Sequence, residues 1–202
     1  MIVLPAMSQP QTASWHGVMD LHERLDYGWT LVGGQMVHLQ CAERDYAAPR
    51  PTDDVDTVID VLLPDGIGER AASRTGATGS PTIAAPGGTQ ALDRSESVPV
   101  SVEGHEGFVR RPTIVGALVM KAAAHTAVSD PAKGRHRFDF ATLAALVAAR
   151  DFRDVSLSKK DRRRLSDMLA ATRADLAVMS GLSDVEESLN RLERAAKLRT
   201  NP

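Results

Sequence analysis

The fold of this chain is decided by the stretch WTLVGGQMV, residues 29–37. Residues 29–32 are aromatic, β-branched or apolar, which predicts a short buried strand. Two glycines follow directly, and residues 35–45 predict a helix. Paired glycines allow a phosphate to approach the backbone closely, and a helix N-terminus offers free N–H groups and the positive end of its dipole. The stretch therefore predicts a strand, a turn and a helix that can bind a phosphate at Gly33 and Gly34.

Two acidic residues begin the next predicted strand, which spans residues 54–63 and ends at a Pro-Asp-Gly turn. Asp54 and Asp56 are two residues apart, so on a strand they project from the same face with Cα atoms roughly 6.6 Å apart. Two carboxylates placed in this way can both bind one Mg²⁺ ion. We therefore predict a magnesium site at Asp54 and Asp56. The alternative is a pair of solvated carboxylates at a strand edge.

The rest of the chain predicts a small sheet followed by helices. An amphipathic helix over residues 14–26, with Ser14 as its N-cap, precedes the first strand. Residues 66–81 indicate a Gly-rich loop, and β-prone segments lie at 82–85, 90–92 and 98–102. Ala-rich segments then predict helices over 113–128, 138–150, 158–179 and 183–198. The predicted fold class is α+β, with a small mixed β-sheet and flanking helices in residues 1–112 and a helical C-terminal half in residues 113–202.

The composition of the chain restricts its class. With 202 residues, 43% of them hydrophobic and 25% charged, it falls in the range of globular proteins of one domain. The apolar runs are shorter than the roughly 18 residues that cross a bilayer, and the first residues lack the pattern of a secretory signal. Cys41 is the only cysteine, which excludes a disulfide within one chain. We expect a cytoplasmic protein that does not act in a membrane.

The charges of the chain are divided unevenly. Residues 1–110 hold seven Arg and no Lys against 15 acidic residues, a net charge of −8, whereas residues 111–202 have a net charge of +6. An acidic half needs a cation or a basic partner, and a basic half suits phosphate groups. The division fits a metal-dependent site that faces a polyanion.

Three motifs resemble one family of enzymes. They are Leu31-Val32-Gly33-Gly34, Arg50-x-Thr52-x-Asp54-Val55-Asp56, and a helix bearing Lys121 followed by Arg135-His136-Arg137-Phe138-Asp139-Phe140. Together they span about residues 15–146. In these motifs the chain resembles the nucleotidyltransferase superfamily, and within it the AbiEii-type toxins of bacterial toxin–antitoxin systems, including the MenT group.

This resemblance implies a nucleotidyltransferase fold whose helical half, residues 113–202, completes the active-site cleft. The implied activity is the Mg²⁺-dependent transfer of a nucleotide from a nucleoside triphosphate to an RNA, commonly the 3′ end of tRNA, under the restraint of a cognate antitoxin. Position by position, Gly33 and Gly34 match the glycine turn, Thr52 the hydroxyl residue, and Asp54 and Asp56 the metal pair. Lys121 matches a helix lysine that contacts phosphate, and Asp139 the downstream acidic residue.

Other interpretations of these residues stay open. The Lys121 ammonium either reaches solvent or faces a ligand, and Asp139 is alternatively an acid near a helix N-terminus. Many members of the superfamily supply a third carboxylate from a neighbouring strand, and here the segment 98–103 offers only Glu103 at its end. The alternative function is therefore an inactive nucleotidyltransferase-fold protein that acts as a nucleotide-binding or protein-interaction module.

A third reading makes the basic helical half a nucleic-acid-binding regulator. The basic run 159–164 is either the exposed start of a helix capped by Ser158 or a surface that binds an RNA backbone.

Overall fold

The computed structural model describes residues 1–48, 56–59, 87–126 and 133–198, and at 56–59 and at residue 133 it describes the backbone. The predictions for Thr52 and Asp54, for the loop at 66–81 and for the β-prone segment at 82–85 lie outside the described residues.

Five strands of the described chain form two sheets. They are β1 (Ile2–Val3), β2 (Trp29–Val32), β3 (Asp56–Ile59), β4 (Ser95–Val102) and β5 (His105–Pro112). The first sheet has the order β1-β4-β5, with β1 parallel and β5 antiparallel to β4. The second sheet is the antiparallel pair of β2 and β3. The chain is thus a mixed α/β protein with a small mixed sheet.

The two sheets lie side by side rather than in one hydrogen-bonded ladder. Strand β2 packs beside β5, and the guanidinium Nε of Arg110 on β5 donates a hydrogen bond to the Trp29 carbonyl oxygen at 3.2 Å. The two sheets are therefore joined by the Arg110 side chain, whereas the strands within each sheet are joined by backbone hydrogen bonds.

The predicted β-prone segment at 90–92 is wrong. Those residues lie in helix α3 (Gly88–Asp93), which begins after Gly87 at φ 84° and packs against β2 and β3. Ala91 on this helix is completely buried. A six-residue segment has little intrinsic preference for a helix or a strand. Burial of Ala91 against the neighbouring elements therefore decides that this segment is helical.

The helices of the N-terminal half agree with their prediction in kind and differ in extent. Helix α1 (Gln9–Arg24) begins five residues before the predicted start, because Ser8 and Gln11 form a capping box. Pro10 is tolerated in the first turn, where its missing N–H has no intrahelical partner. The prediction of Ser14 as the N-cap is therefore wrong. Helix α2 (Gly33–Glu43) begins directly at the glycine pair.

The helices of the C-terminal half are α4 (Ile114–His125), α5 (Lys133–Ala145), a 3₁₀ turn (Ala149–Phe152), α6 (Lys159–Arg173), α7 (Leu176–Gly181) and α8 (Val185–Ala195). The predicted cap at Ser158 is confirmed, since its side chain accepts from the Asp161 N–H.

The single helix predicted over 158–179 is wrong, because it is divided into α6 and α7. Asp175 ends the run by capping α7, accepting hydrogen bonds from the N–H groups of Ala177 and Val178. The Arg137 guanidinium, 2.6 Å from the Asp175 carboxylate, lowers the pKa of this acid. The break is therefore held by a contact with α5.

Helix α4 lies at the centre of the core. Every residue from 114 to 123 is buried, and the helix packs against α2, α3, α5, α6 and β5. A helix that is buried on all sides is stabilised by its neighbours rather than by an amphipathic face. Its neighbours are thereby fixed relative to one another. The proposed division into residues 1–112 and 113–202 stays a prediction.

In the part of the chain that the structure describes, the helices are too short or too polar to traverse a lipid bilayer.

Gly87 and Gly104 give a matched test of this packing. Both have φ near 84°, but a Cβ at Gly87 would lie 2.9 Å from Ala123 Cβ and 3.0 Å from Met120 Cα, whereas a Cβ at Gly104 meets nothing within 4 Å. We expect Gly104→Ala to cost about 1 kcal/mol of unfolding free energy through the left-handed backbone alone. We expect Gly87→Ala to cost about 3 kcal/mol, because the backbone of α4 cannot yield.

Urea unfolding followed by circular dichroism measures both variants. Equal destabilisation by the two substitutions would contradict the close contact between Gly87 and α4.

Candidate functional site

The turn between β2 and α2 is built by its first glycine. Gly33 has a φ of 70°, which side chains rarely adopt, and it reverses the chain from strand to helix. Gly34 is buried, and Val32 at the N-cap provides no side-chain hydrogen bond to the helix. Among the described residues, the N-cap of α2 therefore gives its first turn no side-chain acceptor, which is the arrangement that suits an anion.

Asp56 lies beside this turn. In the antiparallel pair of β2 and β3, Asp56 is the residue directly opposite Val32, the residue before Gly33. Opposed residues in such a pair have Cα atoms about 4.5–5.5 Å apart. The backbone of Asp56 is thus next to the glycine turn, whereas Thr52 and Asp54 are outside the described residues.

The two carboxylates of the predicted metal pair are donors that suit magnesium, because Mg²⁺ prefers carboxylate oxygens and keeps water or phosphate oxygens in its other positions. Asp54 and Asp56 are the residues that would hold it. Within the described ranges, no group of three or more His, Cys, Asp and Glu side chains is close enough to form a metal site. Glu103, the other candidate carboxylate, is exposed in the turn between β4 and β5, with a φ of 50°.

Polar contacts fix the far end of α2. The Gln40 amide nitrogen donates to the Pro112 carbonyl oxygen at 2.8 Å. Arg111, which is 3% exposed, binds the Glu43 carboxylate at 2.6 Å and Glu96 at 2.8 Å. Because Arg111 and Pro112 end β5, these bonds tie the C-terminal half of α2 to the sheet. The glycine turn therefore begins a helix whose position is fixed.

Lys121 and Asp139 form a buried ion pair. The Lys121 ammonium Nζ lies 2.7 Å from Asp139 Oδ2, and each residue is 3% exposed. Lys121 comes from the centre of α4 and Asp139 from the second turn of α5. The ammonium does not reach solvent, so that interpretation of Lys121 is wrong. Asp139 therefore neutralises the Lys121 ammonium, which the motif resemblance matches to a lysine that contacts phosphate.

Cys41 lies near this ion pair, on the last turns of α2. The pKa of its thiol is raised to about 12, mainly by burial; the positive charge of Arg44 lowers this pKa, and the negative charge of Asp139 raises it. The thiol is 1% exposed. Cys41 is therefore a protonated, packed side chain rather than a nucleophile.

The residues singled out in the sequence form two groups. Gly33, Gly34 and Asp56 lie together by the β2–β3 register, and Lys121 and Asp139 lie together in the ion pair.

Gln35, whose buried side chain follows the glycine pair, was not among the residues singled out in the sequence. Its only signal was a polar residue ahead of an apolar run, which many helices contain.

The ion pair makes a prediction about stability. Replacing Lys121 by Met removes the cation that lies 2.7 Å from the buried Asp139 carboxylate, and we expect a loss of about 3–5 kcal/mol of unfolding free energy. Asp139→Asn removes the opposite charge, and the double variant Lys121→Met/Asp139→Asn is expected to lose less than the two single variants together.

Equilibrium denaturation of the four proteins gives the coupling energy. A coupling energy near zero would show that Lys121 and Asp139 act independently.

Cys41 makes a second prediction. With a pKa of about 12, only about one thiol in 10,000 is ionised at pH 8. We expect a thiol reagent such as 5,5′-dithiobis(2-nitrobenzoate) to label the native protein at least roughly 100-fold more slowly than the protein in guanidinium chloride, because labelling needs local opening.

The release of the coloured thiolate measures both rates, and the denatured protein is the control. Native labelling as fast as that in denaturant would contradict the burial of Cys41.

Comparisons of this chain with protein-family models, with curated proteins and with solved structures find no match. The function is therefore inferred from the residues of the site and from the motif resemblance.

Proposed function

We propose that the protein is a Mg²⁺-dependent nucleotidyltransferase that moves a nucleotide from a nucleoside triphosphate to an RNA, with the tRNA 3′ end as the favoured acceptor. The observation that supports this proposal is the register of β2 and β3. It pairs Asp56 with Val32, so an acidic residue lies directly beside the glycine turn. An acidic residue beside the first turn of a helix can combine a cation-binding group with the anion-binding N–H groups of that turn.

In this proposal each part of the site has one task. The N–H groups of the first turn of α2 bind the triphosphate, and Gly33 and Gly34 allow it to approach. Asp54 and Asp56 hold Mg²⁺. The bound ion would neutralise negative charge on the phosphates. Thr52 is an additional contact to phosphate.

The proposed reaction is an in-line displacement. The oxygen of an RNA 3′-hydroxyl forms a bond to the α-phosphorus, the bond from that phosphorus to the bridging oxygen breaks, and pyrophosphate leaves. The hydroxyl proton passes to solvent. Positioning and charge neutralisation provide most of the acceleration in such a reaction. In the proposed setting a cognate antitoxin restrains the enzyme in the cytoplasm.

The buried ion pair favours a second candidate. Lys121 is 3% exposed and bound to Asp139, so in this conformation its ammonium is withheld from a phosphate. A protein of the same fold that binds a nucleotide or a protein partner without turnover would need no free lysine. This inactive module is the alternative to the enzyme.

Nucleotidyl transfer is tested by incubating the protein with total tRNA, Mg²⁺ and each α-³²P-labelled nucleoside triphosphate in turn. We expect label in RNA with at least one nucleotide, and its loss when EDTA removes the metal. Asp54→Asn and Asp56→Asn should each lower the rate on the order of 100-fold or more, because each removes a charged group from the site.

Asp20→Asn is the matched control, since Asp20 is an exposed acid on α1 and should keep full activity. Absence of label with all four nucleotides from folded protein would refute the enzyme. Calorimetric binding of a nucleoside triphosphate without turnover would then support the inactive module.

A further inference from the structure

Gln35 has a buried amide whose hydrogen-bonding capacity is unused. The residue is 1% exposed, and neither Oε1 nor Nε2 has a hydrogen-bond partner in the part of the chain that the structure describes. Gln40, on the same helix and equally buried, has its amide satisfied by Pro112 and Arg44. A buried amide without a partner is unfavourable, so its presence calls for a group that binds to it.

Gln35 is one of the residues that line a cavity of about 780 Å³. The cavity lies between residues 3–7, helix α1 and helix α2. Along α2 it is lined by Gln35, His38 and Ala42, which lie on one face of the helix at spacings of three and four residues. A volume of this size is within the range of about 300–1,000 Å³ that small-molecule sites have.

The lining of this cavity disfavours an anionic ligand. Asp45 is the only acidic residue among the described residues that line it, and no lysine or arginine is among them. A phosphate or carboxylate would meet the Asp45 carboxylate without a lysine or arginine to offset it. The lining therefore disfavours an anion, and the amide of Gln35 offers hydrogen bonds rather than charge, which suits an uncharged polar ligand.

The cavity also favours a flat ligand. Its walls are mostly apolar and include the rings of Trp15 and Tyr46 and the side chain of Met7. An amide offers one acceptor and two donors in a plane, so its best complement is a planar edge with a donor beside an acceptor. Nucleobases have such edges, as in the paired hydrogen bonds that a glutamine makes with adenine.

We propose that this cavity binds a nucleobase, as a nucleoside, through the buried and unpartnered amide of Gln35 beside the aromatic rings of Trp15 and Tyr46. The side chain of Gln35 has two rotatable sp³ bonds, so a change of rotamer directs its amide to the base while α2 stays in place. The inference does not require nucleotidyl transfer, because it uses neither the glycine turn nor the acidic pair.

Isothermal titration of the full-length protein with adenosine, guanosine, cytidine and uridine, without Mg²⁺ or phosphate, tests the proposal. We expect at least one nucleoside to bind. Gln35→Met keeps the size of the side chain and removes its hydrogen bonds, so it should weaken binding roughly tenfold or more. Gln9→Met, at an exposed position on α1 outside the cavity, is the matched control and should bind like the unchanged protein.

Thermal unfolding separates this role from a structural one. Gln35→Met should unfold at the same or a higher temperature, since it replaces an unsatisfied amide by an apolar group of similar size. Gln40→Met should unfold at a lower temperature, because it removes bonds that Pro112 and Arg44 make. A second variant, Ala42→Phe, fills the cavity and should abolish binding. It tests the proposal independently of Gln35→Met.

No binding of any of the four nucleosides to the folded protein would overturn the inference. So would binding that Gln35→Met and Ala42→Phe leave unchanged, because the nucleoside would then occupy another site. Nucleoside binding without nucleotidyl transfer supports the cavity and refutes only the proposed enzyme. Transfer to RNA without nucleoside binding refutes only the cavity.

Discussion

The arrangement of the helices depends on the ion pair between Lys121 and Asp139. Both residues are 3% exposed and their charged atoms are 2.7 Å apart, so neither charge has water as an alternative partner. A shift or rotation of α4 relative to α5 would separate these two buried charges, which is far more costly than the loss of an exposed pair. Since the other residues of α4 over 114–123 are apolar or glycine and pack without direction, this pair sets the register of the two helices.

Helix α2 connects this core to the glycine turn. Its buried Cys41 lies within electrostatic range of Asp139, and its end is tied to β5 by Gln40 and Glu43. A helix held in this way fixes the position of its first residue, so Gly33 starts at a defined place beside β3. A phosphate site benefits from a fixed helix, because N–H groups that are already in place bind the phosphate without the free-energy cost of ordering them first.

The two proposals use different chemistry on adjacent residues. The backbone N–H groups that follow Gly33 suit a negative charge, whereas the Gln35 side chain and the cavity around it suit an uncharged planar group. The net charge of −8 over residues 1–110 favours a cation beside the proposed triphosphate site. An uncharged ligand needs no such cation.

The local pattern of residues was sufficient for the features that depend on neighbours in sequence. A buried strand at 29–32, a glycine turn after it and a helix predicted over 35–45 were predictable in kind, as was the cap at Ser158, because dihedral preference and hydrophobic period are local properties. The same reasoning was wrong at 90–92, where packing makes a helix, and at 158–179, where Asp175 meets Arg137. Only the tertiary structure decided that Asp56 is opposite Val32, that Lys121 binds Asp139, and that Gln35 has no partner among the described residues. These contacts join groups from separate elements, and their existence depends on how strands and helices pack rather than on the preference of any one segment.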